Sequence, residues 1–291
     1  MAQTKLPLKR TLVCDTEDGT ITIRDRIRNE WRTDPITGKR DVTIYNPEGM
    51  VDVEHTPTLD LLDKAYWRIR EGKYPDKHDV VTIDTITTLS VSHRHLVLMN
   101  RRNIGEKEVM KNYLKLTPEY KDWGVTSDNI IMILRQFRGL PCLTLFLTHD
   151  RKNEDEFTKE KTVGPALNAQ LLGDMLNNTD DAFRITNSEK IIKIDNKTYP
   201  AKTRFLRIAQ SDTYQTKVRM GFNQQFPDYI VNPDLWKILE IKGIYFCRRL
   251  VVFGPRGAGK TLFGTSFSFP RLPDIKPIVV SSSQAKKEEE A

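Results

Sequence analysis

The sequence predicts an α/β fold with a mostly parallel central sheet flanked by helices. Three observations carry this expectation. Short apolar runs rich in β-branched residues recur along the chain, they lack polar alternation, and helix-periodic segments lie between them. Strands buried on both faces read as near-continuous apolar runs, whereas half-exposed strands alternate. Strands that alternate with helices build parallel sheets through crossover connections.

The strands are expected at Thr11–Asp15 (TLVCD), 79–84 (DVVTID), Leu143–Thr148 (LTLFLT) and Arg249–Phe253 (RLVVF). Apolar residues at helical spacing predict helices over Leu59–Arg70 and 127–137. A third helix is expected over 165–176, with Pro165 in the first turn, where its missing N–H costs nothing. Residues 31–45 hold DPITGK between β-prone flanks, which predicts a hairpin inserted at about 30–46. The charged stretch 150–163 follows directly on a strand and reads as a loop or a mobile hairpin. Residues 191–207, around IDNKTY, read as an antiparallel extension. Nothing else resembles a linker, so residues 1–280 form a single domain and 281–291 (SSSQAKKEEEA) a disordered polar tail.

Composition narrows the class. The chain of 291 residues is 38% hydrophobic, enough for a core, and its 15 Gly and 15 Pro exclude collagen-like and low-complexity chains. No apolar run approaches the roughly 20 residues that cross a bilayer. The start, MAQTKLPLKR, lacks the apolar stretch of a secretory signal, so no membrane partner and a cytoplasmic location are expected. Cys14, Cys142 and Cys247 are scattered and odd in number, which excludes a disulfide framework and points to buried free thiols in a reducing compartment. The net charge of +7 fits a nucleic-acid partner but does not require one.

One motif carries chemistry. Gly254, Pro255, Arg256, Gly257, Ala258, Gly259, Lys260 and Thr261 fit G-x-x-x-x-G-K-[ST], with a strand entering and a helix beginning at 261–267. Glycines let the backbone curl so that its N–H groups face phosphates. Lys260 would reach the β- and γ-phosphates of ATP, and the Thr261 hydroxyl would ligate Mg²⁺. A Gly-rich turn with an exposed lysine is the plain alternative.

Turnover needs more groups. Asp84 ends a buried strand, where ligands bind in such sheets, and suits the metal-side acid. A helix cap is the alternative. Glu17, in CDTEDG after the first strand, suits a general base for water, with an acidic turn closed by Gly19 as the alternative. His149 follows the third strand and suits a γ-phosphate sensor, with Asp150 placed to orient its ring. A structural histidine is the alternative there.

Together these segments resemble the RecA-like ATPases. They look closest to small phage-encoded RecA-like proteins grouped with AAA-family nucleotide-binding proteins, which include single-strand annealing ATPases of the Sak type. The resemblance rests on RRLVVFGPRGAGKT, TLVCDTEDG, DVVTIDTITTL, LTLFLTHDRKNEDE, GPALNAQL and TKVRMGFNQQFPD, and spans most of the chain. It implies a RecA-like P-loop fold. It makes Glu17 the catalytic glutamate, Asp84 the Walker B aspartate and His149 the γ-phosphate sensor. Lys217 and Arg219 fall where such proteins place cations that reach a neighbouring subunit's ATP. It further implies ATP and Mg²⁺, single-stranded DNA, a single-strand binding protein as a possible partner, a homo-oligomeric ring or filament, and action in recombination, replication or repair in the host cytoplasm. In the family the P-loop precedes the DTED segment. Here it follows near the C-terminus, so the chain looks circularly permuted, with the join between about 269–273 and 6–10.

Two other functions remain open on the sequence. One is a nucleotide-dependent interaction module with little turnover. The other is a small-molecule kinase, for which Arg135 and Arg138 are the nearest paired arginines, placed on a predicted core helix rather than a lid.

Overall fold

The computed structural model describes residues 9–102, 118–154, 161–194, 197–208, 213–219, 227–243 and 248–268. The elements run β1 (Thr11–Asp15), a 3-10 segment (Gly19–Arg26), β2 (Ile27–Thr33), β3 (Arg40–Ile44), β4 (Val51–His55), α1 (Leu59–Arg70), β5 (Val80–Asp84) and α2 (Ile86–Arg102). Next come α3 (Tyr120–Arg138), β6 (Leu143–Thr148), β7 (Asp150–Glu154), β8 (Lys161–Pro165), α4 (Ala169–Asn178), β9 (Asp181–Asn187), β10 (Ile192–Ile194) and β11 (Lys197–Tyr199). The chain continues with β12 (Arg204–Arg207), β13 (Tyr229–Val231), α5 (Leu235–Lys242), β14 (Arg249–Phe253), α6 (Lys260–Gly264) and a 3-10 turn (Ser266–Ser268).

Ten strands form one sheet in the order β13-β12-β9-β14-β6-β5-β1-β4-β2-β3. From β9 to β2 all neighbours are parallel, and antiparallel strands close both edges. The α/β expectation holds at this level. Four predicted strands, β1, β5, β6 and β14, lie side by side in its centre. Their side chains alternate between two apolar layers, as the pleat demands. Leu12, Val81, Ile83, Phe146 and Val251 join the core beneath α1, α2, α3 and α4. Val80, Leu145, Leu147, Leu250 and Val252 join the other, which takes Trp236, Phe263 and Phe267 from α5, α6 and the last turn.

Register fixes the geometry of one sheet edge. Asp15 pairs with Asp84, Asp84 with Leu147, and Thr148 with Phe253. The carboxyl ends of four strands are therefore level. The residues that follow them directly, Thr16, Thr85, His149 and Gly254, leave the sheet at this edge, with Glu17 one position further on. The segment after the glycine-rich loop returns to the start of β1: Ser268 Oγ donates to Lys9 O at 2.7 Å, and Lys9 N to Phe267 O at 2.9 Å. This contact lies beside the join expected for a permuted chain.

Several expectations change in detail. The hairpin β2–β3 exists, turning at Asp34, but it is no appendage. β2 runs parallel to β4 and extends the central sheet. Stretch 150–163 contributes β7, and its partner β8 runs on to Pro165; 155–160 lie outside the described residues. Pro165 ends β8 and does not begin a helix. α4 starts later, because the Asn168 side chain accepts from Leu171 N at 2.9 Å and caps it. The helix predicted at 127–137 is the second half of α3. The expected antiparallel extension appears as β10–β11 and β12. The proposed polar tail and Cys247 lie outside the described residues. Cys14 is buried, and burial pushes its thiol well up; Cys142 is raised to about 11 by the same cause. Among the described residues no helix is long and apolar enough to cross a membrane.

Candidate functional site

The loop from Gly254 to Gly259 is shaped by close approach. A Cβ on Gly254 would stand 2.0 Å from Ile185 O on β9, so only glycine fits beside that strand. Gly257 and Gly259 adopt φ of 76° and 81°, which L side chains rarely accept. Asn187 Nδ2 ties the loop to β9 by donating to Gly257 O at 3.1 Å. Ala258 is buried, and Arg256 projects outward with its side chain 82% exposed.

Lys260 opens α6 but is buried. Its Nζ donates to Gly254 O and Pro255 O, both at 3.0 Å, and to His149 Nδ1 at 3.4 Å. Burial lowers its pKa, partly offset by the carboxylates of Asp84 and Glu17. The Thr261 hydroxyl donates to Asp84 Oδ2. Asp84 is fully buried, and desolvation lifts its pKa to about 6, opposed first by that hydrogen bond. Two oxygens of the kind that hold Mg²⁺ thus converge, one of them a carboxylate short of compensating charge.

Glu17 Oε2 accepts from Thr88 Oγ1 at 2.6 Å and lies 3.3 Å from His149 Nε2. Its pKa falls to about 2, chiefly through the His149 hydrogen bond and then that of Thr88, against the upward pull of burial. Lys260 donates to Nδ1, so the ring proton belongs on Nε2 and donates to Glu17. His149 therefore links the loop lysine to the acid. Its backbone is clamped too: its N–H donates to Thr87 Oγ1 at 3.0 Å, and its carbonyl accepts from Ala166 N at 2.7 Å.

Asp15 explains the rest of the acidic turn. Its carboxylate accepts from the backbone N–H of Glu17, Gly19 and Thr20, and from Thr20 Oγ1 at 2.8 Å. Thr16 Oγ1 accepts from Thr85 N at 2.8 Å, which locks this turn to the end of β5. Asp15, Asp18 and His55 bring ligand atoms within 4.8 Å of one another. They already have partners, however. Asp18 pairs with Arg32 and His55, each at 3.0 Å, and His55 Nε2 lies 2.5 Å from Glu30.

Three threonines of the DTITTL segment were missed as site residues by sequence reasoning. Thr85 Oγ1 accepts from Thr88 N and starts α2, Thr87 holds His149, and Thr88 holds Glu17. The available signal was three hydroxyls in four positions directly after a buried acid.

Other expected residues lie elsewhere. Asp150 does not orient the imidazole; it pairs with Arg184 at 3.0 Å, because β7 turns its side chain toward β9. Lys217 pairs with Ala182, near the start of β9 and at the sheet edge opposite the P-loop of the same chain. Lys217 Nζ donates to Leu176 O at 2.6 Å and Thr179 O at 2.9 Å, at the end of α4. Arg219 is exposed and pairs with Asp180 at 2.9 Å. Arg135 and Arg138 face α4, bonding Asp174 and Asn178, and form no lid.

The chain matches no protein-family model, no curated protein and no solved structure.

Proposed function

We propose that this protein is a RecA-like P-loop ATPase that binds and hydrolyses ATP and acts on single-stranded DNA in phage recombination, replication or repair. The observation that carries the reading is convergence at one sheet edge. The loop 254–261, the Thr261–Asp84 contact and the Glu17–His149–Lys260 chain arise from four strands far apart in sequence, yet they meet. A structural turn would not need them together.

In this reading the loop amides cradle the phosphates, and Lys260 leaves its two carbonyls for the β- and γ-phosphates. Thr261 and Asp84 would hold Mg²⁺, which when bound neutralises charge on the phosphates. Glu17, held at about 2, is ionised at neutral pH, and its chief work is to orient water. His149 reports occupancy of the γ-position through Glu17 and Lys260. Homo-oligomerisation, with Arg219 reaching a neighbour's nucleotide, belongs to the same proposal.

The DNA part is supported by a groove of about 540 Å³ beside His149. Arg94, Arg151, Tyr120 and Trp123 line it, and among the described residues no acidic side chain does. Arg94 stacks on the Trp123 ring at 4.1 Å, and Tyr120 is 92% exposed. Cations with open aromatic faces suit unpaired bases and their phosphates. Its lining includes Thr87 and Ala166, the residues that clamp the His149 backbone, so an occupant would touch the sensor.

One observation favours a nucleotide-dependent module with little turnover. A carboxylate at about 2 is a weak base. ATP turnover measured with and without single-stranded DNA, beside Lys260→Ala, tests the proposal. Wild type should turn over ATP faster with DNA, and the variant should not turn it over. Wild-type turnover no greater than that of Lys260→Ala rejects the enzyme.

A further inference from the structure

Among the described residues Arg204 has no ion-pair partner. It sits on β12 opposite Asn187 of β9, the residue that ties down the phosphate loop. Its Nη1 is buried with no hydrogen-bond acceptor. Among the described residues no carboxylate lies within ion-pair distance of it. Two other cations differ: buried Lys242 is matched by Asp181, and partly buried Arg184 by Asp150. Burying a guanidinium without an anion is costly, so such groups are paired or face a ligand.

The side chain lies against the loop itself. A Cβ on Gly259 would stand 2.9 Å from Arg204 Cδ and 3.3 Å from Nη1. The guanidinium therefore borders the loop at its last glycine, one residue before Lys260. Burial lowers the Arg204 pKa; the Asp234 carboxylate opposes that shift and Arg26 adds to it.

We propose that Arg204 is a second phosphate-binding cation of this site, contacting the α- and β-phosphates of a bound nucleoside di- or triphosphate from the β9–β12 side. The inference rests on the nucleotide-site reading above. The choice of phosphates follows from position. Loop amides cradle the α- and β-phosphates, while the lysine reaches toward the γ. Gly259 belongs to the amide cradle, and Arg204 abuts it. A contact to those phosphates is present in ADP and ATP alike. It therefore strengthens binding of both nucleotides.

The test is calorimetric titration of ADP and ATP into wild type, Arg204→Ala and Arg204→Gln, with thermal unfolding of each protein free of nucleotide. Both variants should bind ADP and ATP about 10- to 100-fold more weakly, by similar factors, as expected for a lost charge-assisted contact. The nucleotide-free variants should melt at or above the wild-type temperature, since an uncompensated buried charge is removed. Wild-type ADP affinity in either variant overturns the proposal. So does weaker binding that tracks a lowered melting temperature in the nucleotide-free protein, which makes Arg204 a structural residue. Absence of ADP binding by wild type overturns the nucleotide site as a whole, and this inference with it.

Discussion

His149 Nε2 lies 3.3 Å from Glu17 Oε2, across 132 positions of sequence. This contact is the main reason the Glu17 carboxyl falls to about 2. Two substitutions separate its consequences. Glu17→Gln keeps the shape and removes the charge, and should lower ATP turnover by about 10²- to 10⁴-fold with ATP affinity nearly unchanged. His149→Ala should let burial lift the Glu17 pKa toward the ordinary carboxylate range, read by NMR titration of labelled glutamate. An unmoved Glu17 resonance in that variant would show that Thr88 alone holds the acid.

Asp84 gives the opposite pH behaviour. Its folded pKa of about 6 lies above the ordinary 3.8, so the folded state keeps this proton longer than the unfolded chain. Its contribution to stability therefore falls as pH rises from about 4 to about 6, and the cost stays constant above that. A rise of about two pKa units corresponds to roughly 3 kcal/mol. In EDTA, Asp84→Asn should be more stable than wild type at pH 8 by up to about that amount, and the difference should vanish near pH 4. Chemical denaturation at both pH values checks it. Mg²⁺ should narrow the gap at pH 8, because a bound cation compensates the charge in wild type alone.

What was legible in the sequence divides along a physical line. β1, β5, β6 and β14 were readable because their burial is apolar and local. β4 was not: VDVEH buries three polar side chains whose partners are remote. Glu54 takes Arg40, Arg68 and Tyr74; Asp52 takes Asn29 and His78; His55 takes Glu30. The glycine-rich loop 254–261 was readable as a candidate phosphate site because its pattern lies in eight consecutive residues. Thr88 and Arg204 were not, since Thr88 reaches Glu17 only where α2 meets the turn after β1, and Arg204 meets Gly259 only where β12 approaches the loop. Pairing of distant strands, rather than any local propensity, creates those neighbours.

Lys217 and Arg219 separate in their roles. Lys217 donates to two carbonyls at the end of α4, where helix carbonyls lack intrahelical donors. Lys217→Ala should therefore destabilise the fold by about 1–2 kcal/mol and leave the proposed ATP turnover per folded molecule unchanged. Arg219, exposed and in a surface pair, should behave in the reverse way. Arg219→Ala should leave the melting temperature within about 1 °C, because surface pairs contribute little, yet lower turnover if neighbouring subunits share sites. Melting curves and ATPase rates on the same preparations decide the assignment. Stable Lys217→Ala with depressed kcat would return this lysine to a cross-subunit role.

The groove beside His149 yields the most direct test of the nucleic-acid partner. Tyr120 is 92% exposed and Arg151 is exposed, so replacing either should leave the fold intact. Base stacking on an aromatic face is worth about 1–3 kcal/mol, so Tyr120→Ala should weaken single-stranded DNA binding by about tenfold or more. Arg151→Ala should reduce the salt dependence of that binding by about one phosphate contact and weaken it across all sequences. Fluorescence anisotropy with a labelled oligothymidine over a salt series measures both. Basal ATP turnover should persist in each variant, because neither side chain touches the loop, while the response to DNA should fall. A wild-type chain that fails to bind the oligonucleotide at low salt would end the DNA reading. Unchanged affinity in both variants would move the strand to another face of the molecule.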